Sequence, residues 1–270
     1  MISASPASAA YEVFALRYAE NPAQLAARNF IDGDAHDRLM PLDYFIWLIR
    51  GPGRTYVVDT GFDAQAAKER SRVLLATPGE LLSSLNVDSE QVSDVIVTHM
   101  HYDHVGNREL FSRARFHLQD REMAYATGRC MCHPALSGLF DVRDVSAMVA
   151  RVYARRVLFQ DGDHELAPGL SLHRIGGHTA GLQVVRVWTR RGWLVLASDA
   201  SHFYANMEQG RSFPIVYNLG DMYEGHRRCY ELADRPENVI PGHDPLVMQR
   251  YPPPHPSLQG KIARLDADPR

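Results

Sequence analysis

Four side chains able to bind a metal fall within six residues of Thr98-His99-Met100-His101-Tyr102-Asp103-His104. Imidazole and carboxylate in one loop suit zinc, iron or manganese. The apolar run Val95-Ile96-Val97 leads straight into them, so a buried strand would end where the ligands begin. A strand end is rigid, and the loop after it can turn its side chains inward. Three histidines and an aspartate at this spacing, followed by Val105-Gly106-Asn107, read as a metal-binding loop rather than a histidine-rich surface segment.

Other strand-like runs lie at 11–18, 44–49, 55–58, 115–118, 170–175, 183–189, 193–197 and 238–240. Arg50-Gly51-Pro52-Gly53-Arg54 and Arg190-Arg191-Gly192 read as turns. Helices are expected at 78–85, with proline in the first turn, and at 107–111 and 222–233. Residues 120–155 read as helical and irregular, a cap-like insertion. The tail from about 246, with Tyr251-Pro252-Pro253-Pro254-His255-Pro256, reads as extended. No repeat and no break in composition marks a linker, which predicts one layered α/β or α+β domain over residues 1–270.

The 270 residues carry 29 basic and 32 acidic side chains, a net charge of −3, which argues against a nucleic-acid partner. Three cysteines cannot build a disulfide scaffold and fit a reducing compartment. The first ten residues lack a basic segment followed by an apolar one. The longest apolar runs are strand-sized, far short of the roughly 20 residues that span a bilayer. The expectation is a cytoplasmic protein without a membrane partner. Thirteen histidines stand out against this background.

His-x-His-x-Asp-His after a strand resembles the signature of the metallo-β-lactamase superfamily. The resemblance implies three further ligands at strand ends. His178 in Gly176-Gly177-His178-Thr179-Ala180-Gly181, Asp199 in Leu196-Ala197-Ser198-Asp199, and His243 in Ile240-Pro241-Gly242-His243-Asp244 stand in family order. The implied fold is a four-layer αβ/βα sandwich with two mixed sheets and outer helices, covering roughly residues 40 to 245. The implied cofactor is a pair of divalent ions, zinc first, with iron, manganese and cobalt sharing the same donor preference. His99, His101 and His178 would hold the first ion. Asp103, His104 and His243 would hold the second, and Asp199 would bridge. Such a centre supplies hydroxide at neutral pH and polarises a carbonyl or phosphoryl oxygen, with Asp103 orienting the nucleophile. No Ser or Cys triad is required, and no G-x-S-x-G elbow occurs.

Within the superfamily, Asp199 in place of cysteine disfavours true zinc β-lactamases. Only about 27 residues follow His243, too few for the helical region that glyoxalase II-like thioesterases devote to glutathione. A tRNA-processing phosphodiesterase should carry a basic arm. The plan looks most like the N-acyl-homoserine lactonase branch, so the expected reaction is the opening of a small lactone by a metallohydrolase acting as monomer or homodimer. A thioesterase or other ester hydrolase, and a non-catalytic metal-stabilised binding module, are the alternatives. One departure stands out: lactonases of this branch place a tyrosine three residues after the bridging aspartate, and here that residue is His202. His202 or Tyr204 would then contact the lactone. Asp59 is expected to orient a ligand histidine or to cap a turn. Met123, Tyr125, Met131, Leu136, Phe140 and Met148 read as an apolar lid or as packing, with Tyr217, Met222 and Tyr223 nearby. Cys130-Met131-Cys132-His133 reads as a partly buried loop, and His117, His164, His173 and His226 as ordinary residues.

Overall fold

The computed structural model describes residues 10–270 apart from 35, 37 and 52. The amino-terminal stretch read for an export signal, and Pro52 of the first turn, therefore lie outside the described residues. Among the described residues thirteen strands form two sheets: β1 (Glu12–Asn21), β2 (Leu42–Gly51), β3 (Arg54–Val58), β4 (Val73–Leu74), β5 (Asp94–Ile96), β6 (Arg115–Gln119), β7 (Val157–Gln160), β8 (His164–Ala167), β9 (Leu170–Arg174), β10 (Gln183–Thr189), β11 (Gly192–Ser198), β12 (Val239–Pro241) and β13 (Ile262–Arg264). The first sheet runs β13-β1-β2-β3-β5-β6-β7, with β4 also paired to β1, and the second runs β12-β11-β10-β9-β8. Both are mixed. β3, β5, β6 and β7 run parallel to one another, as do β11 and β12, while the remaining pairs are antiparallel.

Alternation along the strands divides the core into three layers of packing. Phe45, Trp47 and Ile49 of β2 face Leu170, Leu172, Val185, Val187, Leu194 and Leu196 of the second sheet. Tyr44, Ile46 and Leu48 point the other way, onto the helices Ala64–Glu69 and Pro78–Ser84 that cover the first sheet. β2 is apolar without a break from Tyr44 to Ile49 because both of its faces are covered there. On the far side, Val184, Val195 and Ala197 pack against Cys229 and Leu232 of helix Leu219–Leu232. Helix, sheet, sheet, helix is the four-layer αβ/βα sandwich expected from the sequence.

Several elements differ from their sequence reading. The tail is not simply extended: it forms helix Leu246–Arg250 and then β13, whose Phe14↔Arg264 to Leu16↔Ile262 register closes an edge of the first sheet. Its few alternating apolar residues become a strand only because the β1 edge is there to pair with. Helix Leu219–Leu232 starts three residues earlier than expected, where the Asn218 side chain caps it by accepting from Asp221 N–H. Residues 120–155 hold the helices Asp120–Ala126, Pro134–Ser137 and Val142–Tyr153. Among the described residues, no helix is long and apolar enough to cross a membrane.

Leu196 is fully buried between the sheets, whereas Val142 is 76% exposed on its helix. Leu196→Ala is expected to cost about 2–5 kcal/mol in urea unfolding, and Val142→Ala to change stability by no more than about 0.5 kcal/mol. Equal midpoint shifts for the two would show that the inter-sheet layer is not the core.

Candidate metal centre

The site is built where both sheets present carboxyl ends of parallel strands to the same rim. From the first sheet, β3 ends at Asp59, and β5 leads into Thr98, His99, His101 and the short helix Tyr102–Val105 carrying Asp103 and His104. From the second sheet, His178 comes from the β9–β10 connection, Asp199 follows β11, and His243 follows β12. Thr98 fastens the rim. Its N–H and hydroxyl donate to Asp59 at 2.7 and 2.8 Å, and its Oγ1 lies 2.9 Å from Ser198 Oγ on the opposite sheet. Asp59 and Ser198 both hold positive φ, 61° and 45°, so the chain turns sharply at each strand end. Gly242 is required by close approach, because a Cβ there would lie 2.8 Å from Asp199 Oδ1.

Four histidines have their Nδ1 committed outward. Nδ1–H donates to Asp59 from His104 (2.7 Å), to the Ile215 carbonyl from His178 (2.7 Å) and to the Asp43 carbonyl from His243 (2.8 Å). Thr98 Oγ1, whose own proton goes to Asp59, accepts from His99 Nδ1 at 3.1 Å. The Nε2 atoms of these four therefore face inward, the arrangement of metal-binding histidines, while His101 presents Nδ1. Asp59, read from the sequence as either a ligand-orienting carboxylate or a turn cap, hydrogen-bonds His104 directly.

The inward atoms form two groups around Asp199. His99 Nε2 and His178 Nε2 lie 3.1 and 2.9 Å from His101 Nδ1. Asp103, His104 and His243 make a second trio, and the ligand atoms within each group lie within 4.8 Å of one another. Asp199 turns Oδ2 to His178 (3.3 Å) and Oδ1 to His243 (3.1 Å) and His104 (3.4 Å), one oxygen to each group. Lone pairs pointing at lone pairs are unfavourable unless something positive lies between them. His104 Nε2 and Asp199 Oδ1 are also buried without a hydrogen-bond partner. The donor set thus fits metal cations.

Electrostatics agrees. Burial pushes His99 and His101 well below the ordinary imidazole range and His178 down to about 4, leaving neutral rings that can ligate. Burial acts the same way on His104 and His243, but the carboxylates of Asp199 and Asp103 outweigh it and raise both. The second group therefore draws positive charge.

His202 also joins this site. Its Nε2 is 3.0 Å from Asp199 Oδ2, and its ring stacks on Phe213 with centroids 3.5 Å apart. With His178 and Asp199 it makes a further set whose atoms could hold an ion. Tyr204, the other candidate, is not brought here. It opens helix Tyr204–Glu208 and turns into the core between the sheets, with the Arg250 guanidinium 3.9 Å from its ring centroid. A cavity of about 260 Å³ opens onto Asp103, His178, Asp199, His202 and His243. Beside it a cavity of about 290 Å³ is lined by Tyr125, Leu136, Leu139, Val216 and Tyr217. Phe140 packs edge-on to His101, whereas Met148 belongs to the core under the first sheet. Cys130 is half-buried and Cys132 exposed, both free thiols.

Glu122 was not foreseen. It is fully buried and accepts from Met100 N–H (2.8 Å), between two ligands, and from Thr179 Oγ1 (2.6 Å) and Gly181 N–H (3.1 Å), beside a third. One carboxylate thus ties the loops of both sheets together, and burial raises its pKa to about 7. A Cβ on Gly181 would lie 2.1 Å from Glu122 N.

The profile of the metallo-beta-lactamase superfamily matches residues 39–250. The chain is 32% identical over 172 residues to proteins named N-acyl homoserine lactonase AiiB from Rhizobium rhizogenes and Agrobacterium fabrum, a match covering 61% of either partner. It thus spans about three fifths of the length of these curated relatives. Among solved structures, a quorum-quenching N-acyl homoserine lactone lactonase superposes with a TM-score of 0.70 at 18% identity, over 89% of this chain and 94% of the other. AidC, described as a dizinc quorum-quenching lactonase, gives 0.68 at 15% identity, over 88% and 89%. At such identities the likeness is one of fold.

Asp59→Asn keeps the shape but removes the charge facing His104. It is expected to weaken zinc affinity roughly 10- to 100-fold in chelator competition, and unchanged affinity would remove Asp59 from the site. Glu122→Gln loses one of two acceptor oxygens and strands a buried donor at about 1–3 kcal/mol. A melting temperature equal to wild type would rule out the tie between the loops.

Proposed function

The chain belongs to the metallo-beta-lactamase superfamily, and on that premise we propose that it is a metal-dependent hydrolase opening a small lactone, an N-acyl homoserine lactone or a close relative. The observation that carries this reading is the clustering of five imidazoles and two carboxylates, of which His101, Asp103, His178, Asp199 and His243 open onto one cavity. Its support is the chain's likeness to lactonases of that name. We assign His99, His101 and His178 to one divalent ion, Asp103, His104 and His243 to a second, and Asp199 to both. Zinc is the ion favoured by this donor set, and AidC is described as dizinc. Bound there, the ions supply Lewis acidity toward an ester carbonyl and lower the pKa of water.

The protein's own groups do the rest. Asp103, at the cavity wall, orients the attacking water and takes its proton. Water adds to the carbonyl carbon, the ring C–O bond breaks, and the leaving alkoxide is protonated to give a hydroxy acid. His202, held flat by Phe213 with Nε2 turned toward Asp199, takes the place of the branch's tyrosine as hydrogen-bond partner of the ester. The neighbouring cavity, with Tyr125, Leu136 and Val216, accommodates an apolar arm. Opening such a lactone abolishes it as a signal, a quorum-quenching activity that we place in the cytoplasm.

Zinc-loaded protein is expected to open members of an N-acyl homoserine lactone panel, releasing one proton per turnover. Asp103→Asn should lower kcat by roughly 100- to 10,000-fold. Chelation should abolish turnover and added zinc restore it. Metal-replete protein inert to every lactone, but active on glutathione thioesters, would move the assignment to a thioesterase.

A further inference from the structure

The cavity at the metal centre has a charge pattern that the lactone reading leaves unused. Apart from Asp103 and Asp199, both assigned to metal, the charged side chains lining it among the described residues, besides histidines, are Arg28 and Arg72. Arg72 is half-buried beside the ligand wall. Its Nε donates to Tyr102 Oη at 3.3 Å, and Tyr102 Oη lies 3.5 Å from that of Tyr44, whose ring packs edge-on to His243. Among the described residues no carboxylate makes an ion pair with Arg72 or Arg28. The acids on adjoining segments are engaged elsewhere: Glu69 and Asp141 both pair with Arg143. Arg70, stacked 3.9 Å from the Tyr102 ring centroid, adds further positive charge at the same rim.

A half-buried guanidinium is costly unless an anion completes it, and its planar fork matches a carboxylate. Asp103 across the cavity acts on Arg72 through charge without an ion pair, and among the described residues no carboxylate completes the fork, which the cavity places within reach of a bound molecule. We infer that among the lactones it opens the site prefers one that carries a carboxylate on or beside its ring, gripped by Arg72 with Arg28 at the mouth. The inference rests on the lactone-opening reading of the site and names its substrate class. Asp103 and Asp199 would repel such a group in the bare site. The assigned cations, with two positive charges apiece, reverse that field, so the substrate is bound by the metal-loaded protein.

Two measurements separate this inference from its premise. The first is calorimetric titration of zinc-loaded protein with tetrahydrofuran-2-carboxylate, a ring with the carboxylate but no ester to cleave. Wild type should bind it, and R72Q should bind it roughly 10- to 100-fold more weakly. No detectable binding to wild type, or equal affinity in R72Q, overturns the anion site whether or not lactones are opened. The second compares kcat/KM for γ-butyrolactone-γ-carboxylate and its carboxamide. Wild type should favour the carboxylate about 10-fold or more, and R72Q should bring the ratio near one. A wild-type ratio of one, with both lactones opened, overturns the anion site alone. Turnover of neither, with the carboxylate ring still bound through Arg72, overturns lactone opening and leaves the anion site standing. R72K, which keeps the charge but not the fork, carries the same comparisons if R72Q does not fold, with an intermediate loss expected.

Discussion

Two hydroxyls 2.9 Å apart, on Thr98 and Ser198, join the sheets where the metal-binding groups gather. The rest of the site depends on that meeting. Thr98 gives its proton to Asp59, so it can only accept from its neighbours, and this sets the tautomer of His99. Asp59 in turn sets His104. Through one threonine and one aspartate, two neighbouring strand ends of the first sheet fix which nitrogen His99 and His104 present. Backbone carbonyls do the same for His178 and His243. The result is a cluster that is self-consistent in every outward hydrogen bond and unbalanced inward, where nitrogen faces nitrogen. Such an imbalance is tolerable in a buried rim only with cations to resolve it.

The centre was legible in the sequence to an unusual degree because metal ligation demands particular atoms at particular strand ends. His99, His101, Asp103 and His104 announce themselves by spacing, and His178, Asp199 and His243 by order along the chain. Strands with both faces covered were equally plain, β2 above all. What the sequence hid was whatever acts through space. Glu122 sits in Asp120-Arg121-Glu122-Met123, a run that reads as a solvent-facing first turn of a helix, yet it is fully buried between loops from both sheets. Only the approach of Gly181, bare of a side chain, makes room for it. Arg72 likewise has no local signal, since an arginine before a short strand is unremarkable until a cavity is seen beside it.

Tyr204 was misread for a related reason. It lies two positions after His202, and alternation along an extended chain would put both side chains on one face. The chain instead enters a helix at Tyr204, which rotates the ring into the core and leaves His202 alone at the cavity wall. Helix initiation here depends on Asn206 accepting from Phe203 N–H, a local contact with no bearing on chemistry. A short β13 was missed because three residues carry almost no periodicity; its identity comes from the neighbour it joins.

That junction has a consequence for how the molecule is made. β1 is synthesised well before its partner, since β13 pairs with it from some 250 residues downstream. Between them β4 covers only Ala19 and Glu20 of the same edge. Until β13 has been made, residues 14–16 present unpaired peptide groups flanked by apolar side chains, the kind of edge that recruits another strand. The nascent chain therefore carries an open, adhesive edge for some 250 residues of translation, and the emergence of β13 closes it.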